Sequence, residues 1–428
     1  MPRRYIFLLV LILLAFTIEA GPRRRAVASP GVGPDETTPH GWLAANAHIL
    51  STIELGPDTA DLFPLRSMIG SAPVVGLGDV THGTHEFYTV KLRVIDYLVR
   101  EMGFDVLGLE APFPLTERIN TYIQTGVGDP RALLGEMYPI TYFFWDAEEF
   151  LDVVEWMREY NVHRGDRAPV HVVGVDVTQP DAASSAVVAY LRSVDPAAAV
   201  DAEEDYACAR ESSLIITALC QSRAIRIRNS LAAREAELTT LSSAQEYREA
   251  LHNARVVVQS RWPYGPNRDQ AMAENALLLR QHRGSSRKMI LWAHSAHLSE
   301  TSHPLAGARP MGKVLAEHLE SDYFSITTLT AAGTFRQWQD LSGTRQFSTI
   351  TRDIAPLDPN SYESHIRQRG EPYLLIPFRK VLPQWLTTPA PYNFAGSVGN
   401  VGTEGLLPTQ YDAAIFIDTT TPLRPLTH

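Results

Sequence analysis

The sequence predicts an α/β protein: a mostly parallel central sheet flanked by helices, with a helical insertion forming a lid or second lobe. Three observations carry that prediction. Short apolar, β-branched runs alternate with amphipathic helical patterns. The runs are almost continuously hydrophobic, as strands covered on both faces are. One stretch, about 195–260, is rich in Ala, Arg and Glu at helical spacing and holds no strand candidate. With 428 residues, 45% hydrophobic and 20% charged, the chain is long enough to bury a large core. Its formal charge of −10 and the lack of a basic stripe argue against nucleic acid as a partner.

The N-terminus places Arg3 and Arg4 before a predominantly apolar run from Tyr5 to Ile18, with the small Ala20 at a plausible cleavage point. Residues 1–20 therefore read as a signal peptide for export, to the periplasm or out of the cell. A run of this length spans about 21 Å as a helix, short of the roughly 30 Å hydrocarbon core, so an uncleaved membrane anchor is the lesser reading. Residues 21–40 are polar and punctuated by Pro and Gly, which suits a flexible tether, leaving 41–428 as the folded domain. Cys208 and Cys220 can make at most one disulfide, which an oxidising compartment would permit.

Strand candidates follow in order: Ala72 to Asp79, Phe104 to Ala111, Ala168 to Val177 and Arg287 to His294, then DYFSITTLTA, PYLLIPF and YDAAIFID. Between them, Glu86 to Glu101 lines up Val90, Val94, Tyr97 and Leu98 on one helical face. Ala147 to Tyr160 does the same with Phe150, Val153, Val154 and Met157. Strand–helix–strand alternation implies right-handed crossovers and parallel pairing.

In such sheets ligands bind beyond the carboxyl ends of the strands, and here those ends carry residues of catalytic type. Asp79 and His82 follow the first run, Glu110 ends the second, Asp176 the third, and His294 and His297 close the fourth. A single Asp at a strand end commonly caps a helix, but a set of acids and imidazoles delivered to one rim points to a site.

The segments GLGDVTHGTHEF, GLEAPFP, WDAEEFLDVVEWMREYN, GVDV, RDQAMAEN, LWAHSAH, MGKVLAEHL and YDAAIFID, in that order, resemble the erythromycin esterase family over nearly the whole chain after residue 40. The resemblance implies an α/β fold and hydrolysis of a carboxylic ester or lactone by activated water, with neither a covalent acyl-enzyme nor an obligatory metal. It implies His82 as general base, Glu110 and His294 in the same site, and Arg268 as their companion. Two positions depart from the family pattern: Asp79 stands for Glu, and Ser295 for Asn.

The chemistry reads the same way from the residues. There is no G-x-S-x-G elbow, so a histidine-activated water is the simpler nucleophile, an imidazole of ordinary pKa near 6.5 being a competent base at neutral pH. Either Asp79 or Glu110 would orient the ring. Arg268 or a protonated His294 would hold the oxyanion, although a structural ion pair is an equal reading for Arg268. His297, His85 and Asp176 are the candidate substrate-binding groups, and the aromatic string Tyr142, Phe143, Phe144 and Trp145 is either pocket wall or core. The string H-G-T-H-E is neither H-E-x-x-H nor H-x-x-E-H, and no dinucleotide or Walker fingerprint occurs, so no cofactor is expected. Two other functions stay open: a metal-dependent hydrolase using His82, His85, His294 and His297, and a non-catalytic envelope protein that binds a ligand.

Overall fold

The computed structural model describes residues 34–137, 143–210, 218–260, 266–284, 286–340, 347–396, 399–400 and 403–427. The expected signal peptide, most of the tether, and Tyr142 lie outside the described residues. What is described of the tether is already structured. Pro34–Thr37 forms a 3-10 turn and Pro39–Asn46 a helix, capped by Thr38 and burying Trp42 and Leu43.

The centre is a nine-stranded sheet. Its strands are β1 (His48–Ile49), β2 (Val74–Asp79), β3 (Val106–Pro112), β4 (His171–Asp176), β5 (Met289–His294), β6 (Tyr323–Asp340), β7 (Phe347–Asp353), β8 (Tyr373–Pro377) and β9 (Ala413–Thr420). Their spatial order is β1-β8-β9-β6-β2-β5-β3-β4, with β7 hairpinned onto the far half of β6. Pairing is parallel from β9 across to β4 and antiparallel only at β1, β7 and β8. The period of two explains the continuous hydrophobicity. Val75, Leu77, Ile290 and Trp292 join the core on one face, while Val74, Met289, Leu291 and Ala293 join a second core on the other.

The short edge strand β1 was not among the strand candidates, and the far end of the sheet also differs from the sequence expectation. β6 runs well past Ala331, and β7 was not anticipated, because Phe347–Asp353 alternates Ser and Thr with larger residues and reads as a polar loop. Its pairing with β6 forms a hairpin beyond the parallel sheet, where strand continuity in sequence hydrophobicity is lost.

Between β4 and β5 the chain is helical. Pro180–Val194, Pro196–Asp205, Ala218–Ala233, Glu235–Leu241 and Ala244–Gln259 share their own apolar cluster, including Val187, Leu191, Tyr206, Leu231 and Val257. Boundaries follow local chemistry: Pro196 opens a helix capped by Asp195, and Ser243 accepts from the Glu246 N–H. Cys208 and Cys220 form a disulfide inside this lobe. Among the described residues no helix is long and apolar enough to cross a membrane.

Candidate active site

Four neighbouring parallel strands deliver the site. β2 and β5 pair in register to their last residues, so Asp79 and His294 sit side by side. β3 follows β5 only as far as Leu109, opposite Trp292. Beyond that the ladder to β4 shifts register, and Glu110, in the irregular step, turns its carboxylate under β5 to accept the His294 N–H at 2.9 Å. Asp176 closes β4 and Arg268 enters from the first turn of the helix Pro266–Arg283. His82 lies on the turn after β2 and His297 in the short helix Ser295–Leu298.

These groups form one network. His82 Nδ1 lies 3.0 Å from Asp79 Oδ1, and its Nε2 faces Glu110 Oε2 at 3.9 Å. The first contact is close but bent, since Asp79 Oδ1 receives no aligned hydrogen bond. Of the two carboxylates, Asp79 lies beside Nδ1 and Glu110 faces the outer nitrogen. The His82 ring stacks on Phe144 at 4.0 Å and lies 4.7 Å from the His294 ring, which in turn meets Phe394 edge-on at 4.7 Å. Arg268 donates from Nη2 to Glu110 Oε1 at 2.9 Å and grips Asp176 with Nε at 2.9 Å and Nη2 at 2.6 Å. His297 bridges Asp269 (2.7 Å) and Glu110 (3.3 Å).

Burial makes the charges here strong. Burial pushes the Glu110 carboxyl up, but His297, Arg268 and His82 outweigh it and hold it well below the carboxylate range. Against burial, the Asp269 and Glu110 carboxylates raise His297 to about 10, so its ring is a cation. Its 3.1 Å approach to Arg268 Nη1 is then two cations crowded onto one carboxylate rather than a hydrogen bond. His294 goes the other way: burial, and the nearby His82, lower it to about 3. A neutral His294 corrects the expectation of a protonated one. Its Nδ1 accepts the Ala296 N–H at 3.3 Å, which leaves the ring proton on Nε2.

Lys91 is the group sequence reasoning missed. It lies on the helix His85–Met102 among apolar neighbours, fully buried, with Nζ 2.5 Å from Asp79 Oδ2 and above the Trp292 ring. Burial pulls this ammonium down to about 8, while Lys91 and His82 bring Asp79 down to about 2 against the upward push of its own burial. The available signal was a lysine embedded in FYTVKLRVIDYLV, within a stretch otherwise facing the core. Asp269, adjacent to Arg268, was the second omission.

The erythromycin esterase family model matches residues 99–420. This chain belongs to the erythromycin esterase family. It is 23% identical to the putative hydrolase YbfO of Bacillus subtilis (strain 168), over 89% of this chain and 91% of that one. To erythromycin esterase type II of Escherichia coli it is 24% identical, over 68% of this chain and 77% of that one. Among solved structures, a Bacillus cereus protein superposes with a TM-score of 0.78 at 26% identity, covering 91% and 98% of the two chains. A histidine-to-asparagine variant of the erythromycin esterase EreC in its open conformation gives 0.67 at 20% identity, covering 85% and 94%.

Within this erythromycin esterase fold the expected residues fall into two groups. Asp79, His82, Glu110, His294, Arg268, Asp176 and His297 converge. His85 does not: its Nδ1 pairs with Glu149 at 2.6 Å, and Glu149 also receives the Arg424 N–H and guanidinium. Glu86 beside it accepts from the Thr421 backbone and hydroxyl at 2.7 Å. The second half of H-G-T-H-E therefore clamps the C-terminal segment, because a residue three positions after His82 has already entered the helix and points away from the rim. Asp176 and His297, expected on the substrate, are spent on Arg268 and Glu110. Arg268 itself is occupied by carboxylates, as the ion-pair reading had it. Ser295, where the family pattern has Asn, is buried against Gly78 and bonded to Thr327 at 2.8 Å. Of the aromatic string, Phe144 floors His82, and Trp145 is core, donating to the Glu110 carbonyl at 3.1 Å. Among the described residues no three His, Cys, Asp or Glu groups converge as metal ligands.

Proposed function

We propose that this erythromycin esterase-like hydrolase is exported and cleaves a carboxylic ester or macrolactone with water activated by His82, without a covalent intermediate. The observation that carries the reading is the placement of the His82 ring between two buried carboxylates, Asp79 on Nδ1 and Glu110 facing Nε2. Asp79 favours the tautomer with the proton on Nδ1, which leaves the Nε2 lone pair as the base. The 3.9 Å between Nε2 and Glu110 Oε2 is too long for a hydrogen bond and suits one water held by both.

In the proposed sequence Nε2 takes a proton from that water as its oxygen attacks the ester carbonyl. The imidazolium is stabilised by Asp79, and the His294 Nε2–H, in a dry site, faces the developing oxyanion. Collapse breaks the acyl–oxygen bond, and the His82 proton passes to the leaving alkoxide, giving acid and alcohol. His82 is only 7% exposed and His294 4%, with Phe144 and Phe394 packed against them, so substrate entry displaces one of these rings. Among the described residues, Ser295 Oγ is held by Thr327, and both cysteines are in the disulfide. Export is supported by the N-terminal apolar run behind Arg3 and Arg4 and by that disulfide in the helical lobe.

The test is a panel of lactones and aryl esters incubated with the purified chain in ¹⁸O-water, followed by mass analysis of product and protein. The expected result is one ¹⁸O in the acid and no acylated protein during turnover. An acyl adduct, or no hydrolysis across the panel, contradicts the reading and favours a ligand-binding protein in the second case.

A further inference from the structure

A pocket of about 160 Å³ lies away from the catalytic rim. Three helices and two strand feet line it, and it opens to solvent beside Arg248. The helix Ala244–Gln259 supplies Arg248 and His252, one turn apart; Phe113 begins the helix after β3; Leu279 and His282 end the helix leading into β5. His171, the first residue of β4, and Arg287, just before β5, complete its lower edge. His171 and the catalytic-rim Asp176 stand five residues apart on one strand, about 16 Å.

The unexplained group is His252. It is 2% exposed, yet neither ring nitrogen has a hydrogen-bond partner among the described residues, although its ring packs edge-on against Phe113 at 4.3 Å. A buried imidazole with both nitrogens unmet costs about 1–3 kcal/mol per unsatisfied group, a cost rarely kept at a position that apolar packing would serve. Burial, with His282 and Arg255 adding to it, lowers its pKa to about 3, so it offers one donor and one acceptor. Among the described residues Arg248, exposed on the rim above it, makes no ion pair, whereas Arg287 is paired with Asp105. Glu117 and Glu249 on the flanks exclude a ligand anionic along its whole length and leave Arg248 as the place for one negative charge. A cavity of this volume holds a single six-membered ring, and one helical turn, about 5–6 Å, is the span such a ring bridges between polar ends.

We propose that this cavity is a second ligand site, taking a small ring-bearing hydroxy-carboxylate whose hydroxyl bonds the His252 imidazole and whose carboxylate meets Arg248. The ring lies against Phe113 and Leu279. The site needs nothing from the catalytic chemistry and stands whether or not esters are cleaved.

The test is isothermal titration of the full chain with 4-hydroxybenzoate, with His252→Phe, Arg248→Ala and His82→Ala alongside. The expected result is saturable 1:1 binding, weakened at least tenfold by His252→Phe and by Arg248→Ala and unchanged by His82→Ala. Benzoate, lacking the hydroxyl, binds at least threefold more weakly. Melting temperatures of the variants report folding, and Arg248→Ala, on the exposed rim, carries the test if His252→Phe does not fold. Absence of saturable binding at millimolar ligand, or a raised melting temperature in His252→Phe with binding unaffected, overturns the proposal, as does binding lost in His82→Ala alone. Equal affinity for benzoate removes the His252 contact.

Discussion

Asp79 and Lys91 form a buried pair beside the His82 imidazole. Both are fully enclosed, and Trp292 donates to the same carboxylate oxygen as Lys91, at 3.2 Å. Removing one partner strands the other charge in the core, which costs about 3–5 kcal/mol, whereas removing both leaves little charge to solvate. Lys91→Met is therefore expected to lower stability by that amount in denaturant melts, and the double variant Asp79→Asn/Lys91→Met to recover most of it while staying inactive. Greater loss in the double variant would contradict the pairing. His297 gives a pH signature. Its folded pKa is raised to about 10 above an unfolded value near 6.5, so its contribution is complete below 6.5 and disappears as pH rises through 10. The gap in melting temperature between the wild type and His297→Gln should narrow steadily across that window. His294, lowered to about 3, has the opposite sign: it favours the fold above 6.5, and that contribution is lost as pH falls toward 3.

At the level of elements, the turn that carries His82 is fixed from outside the motif. Gly83 accepts from the Arg336 N–H at 2.8 Å and the Leu423 N–H at 2.9 Å, and a Cβ on it would stand 1.6 Å from the Arg336 carbonyl oxygen. Gly83→Ala thus drives β6 and the turn apart. The expected outcome is a loss of about 1–3 kcal/mol with kcat falling alongside, read by calorimetry and steady-state rates; a fully active, equally stable variant would show the contact to be dispensable. This contact also marks what was legible in the sequence. β2 through β5 were readable because each is an apolar run with a polar residue at or near its end, and that placement put Asp79, Glu110, Asp176 and His294 at one rim. The hairpin of β6 and β7 was not readable, since its alternation of Thr, Arg and Gln resembles a loop until pairing is known. Lys91 and the particular partners of Arg268 and His297 were hidden for a related reason. Which cation meets which carboxylate depends on side-chain geometry between elements far apart in the chain.

Across the whole molecule, the sheet with its two covering cores and the helical lobe are separate apolar clusters, and the Cys208–Cys220 bridge belongs to the lobe alone. Replacing both cysteines by Ser removes a short loop constraint, worth about 2–4 kcal/mol. The expected outcome is faster hydrogen exchange confined to the lobe, with the exchange of β2 and β5 unchanged; loss of protection throughout would show the lobe and the sheet to unfold as one unit. The candidate active-site rim, by contrast, draws on β2, β3, β4, β5 and the helix Pro266–Arg283 together, and Asp79 and Glu110 flank His82 there. The most direct test is therefore His82→Ala, with kcat/KM measured on an ester that the wild type hydrolyses and the melting temperature measured in parallel. The account predicts a rate lower by about 10²–10⁴-fold with the fold intact. A variant that melts like the wild type and still turns over at its rate would contradict it.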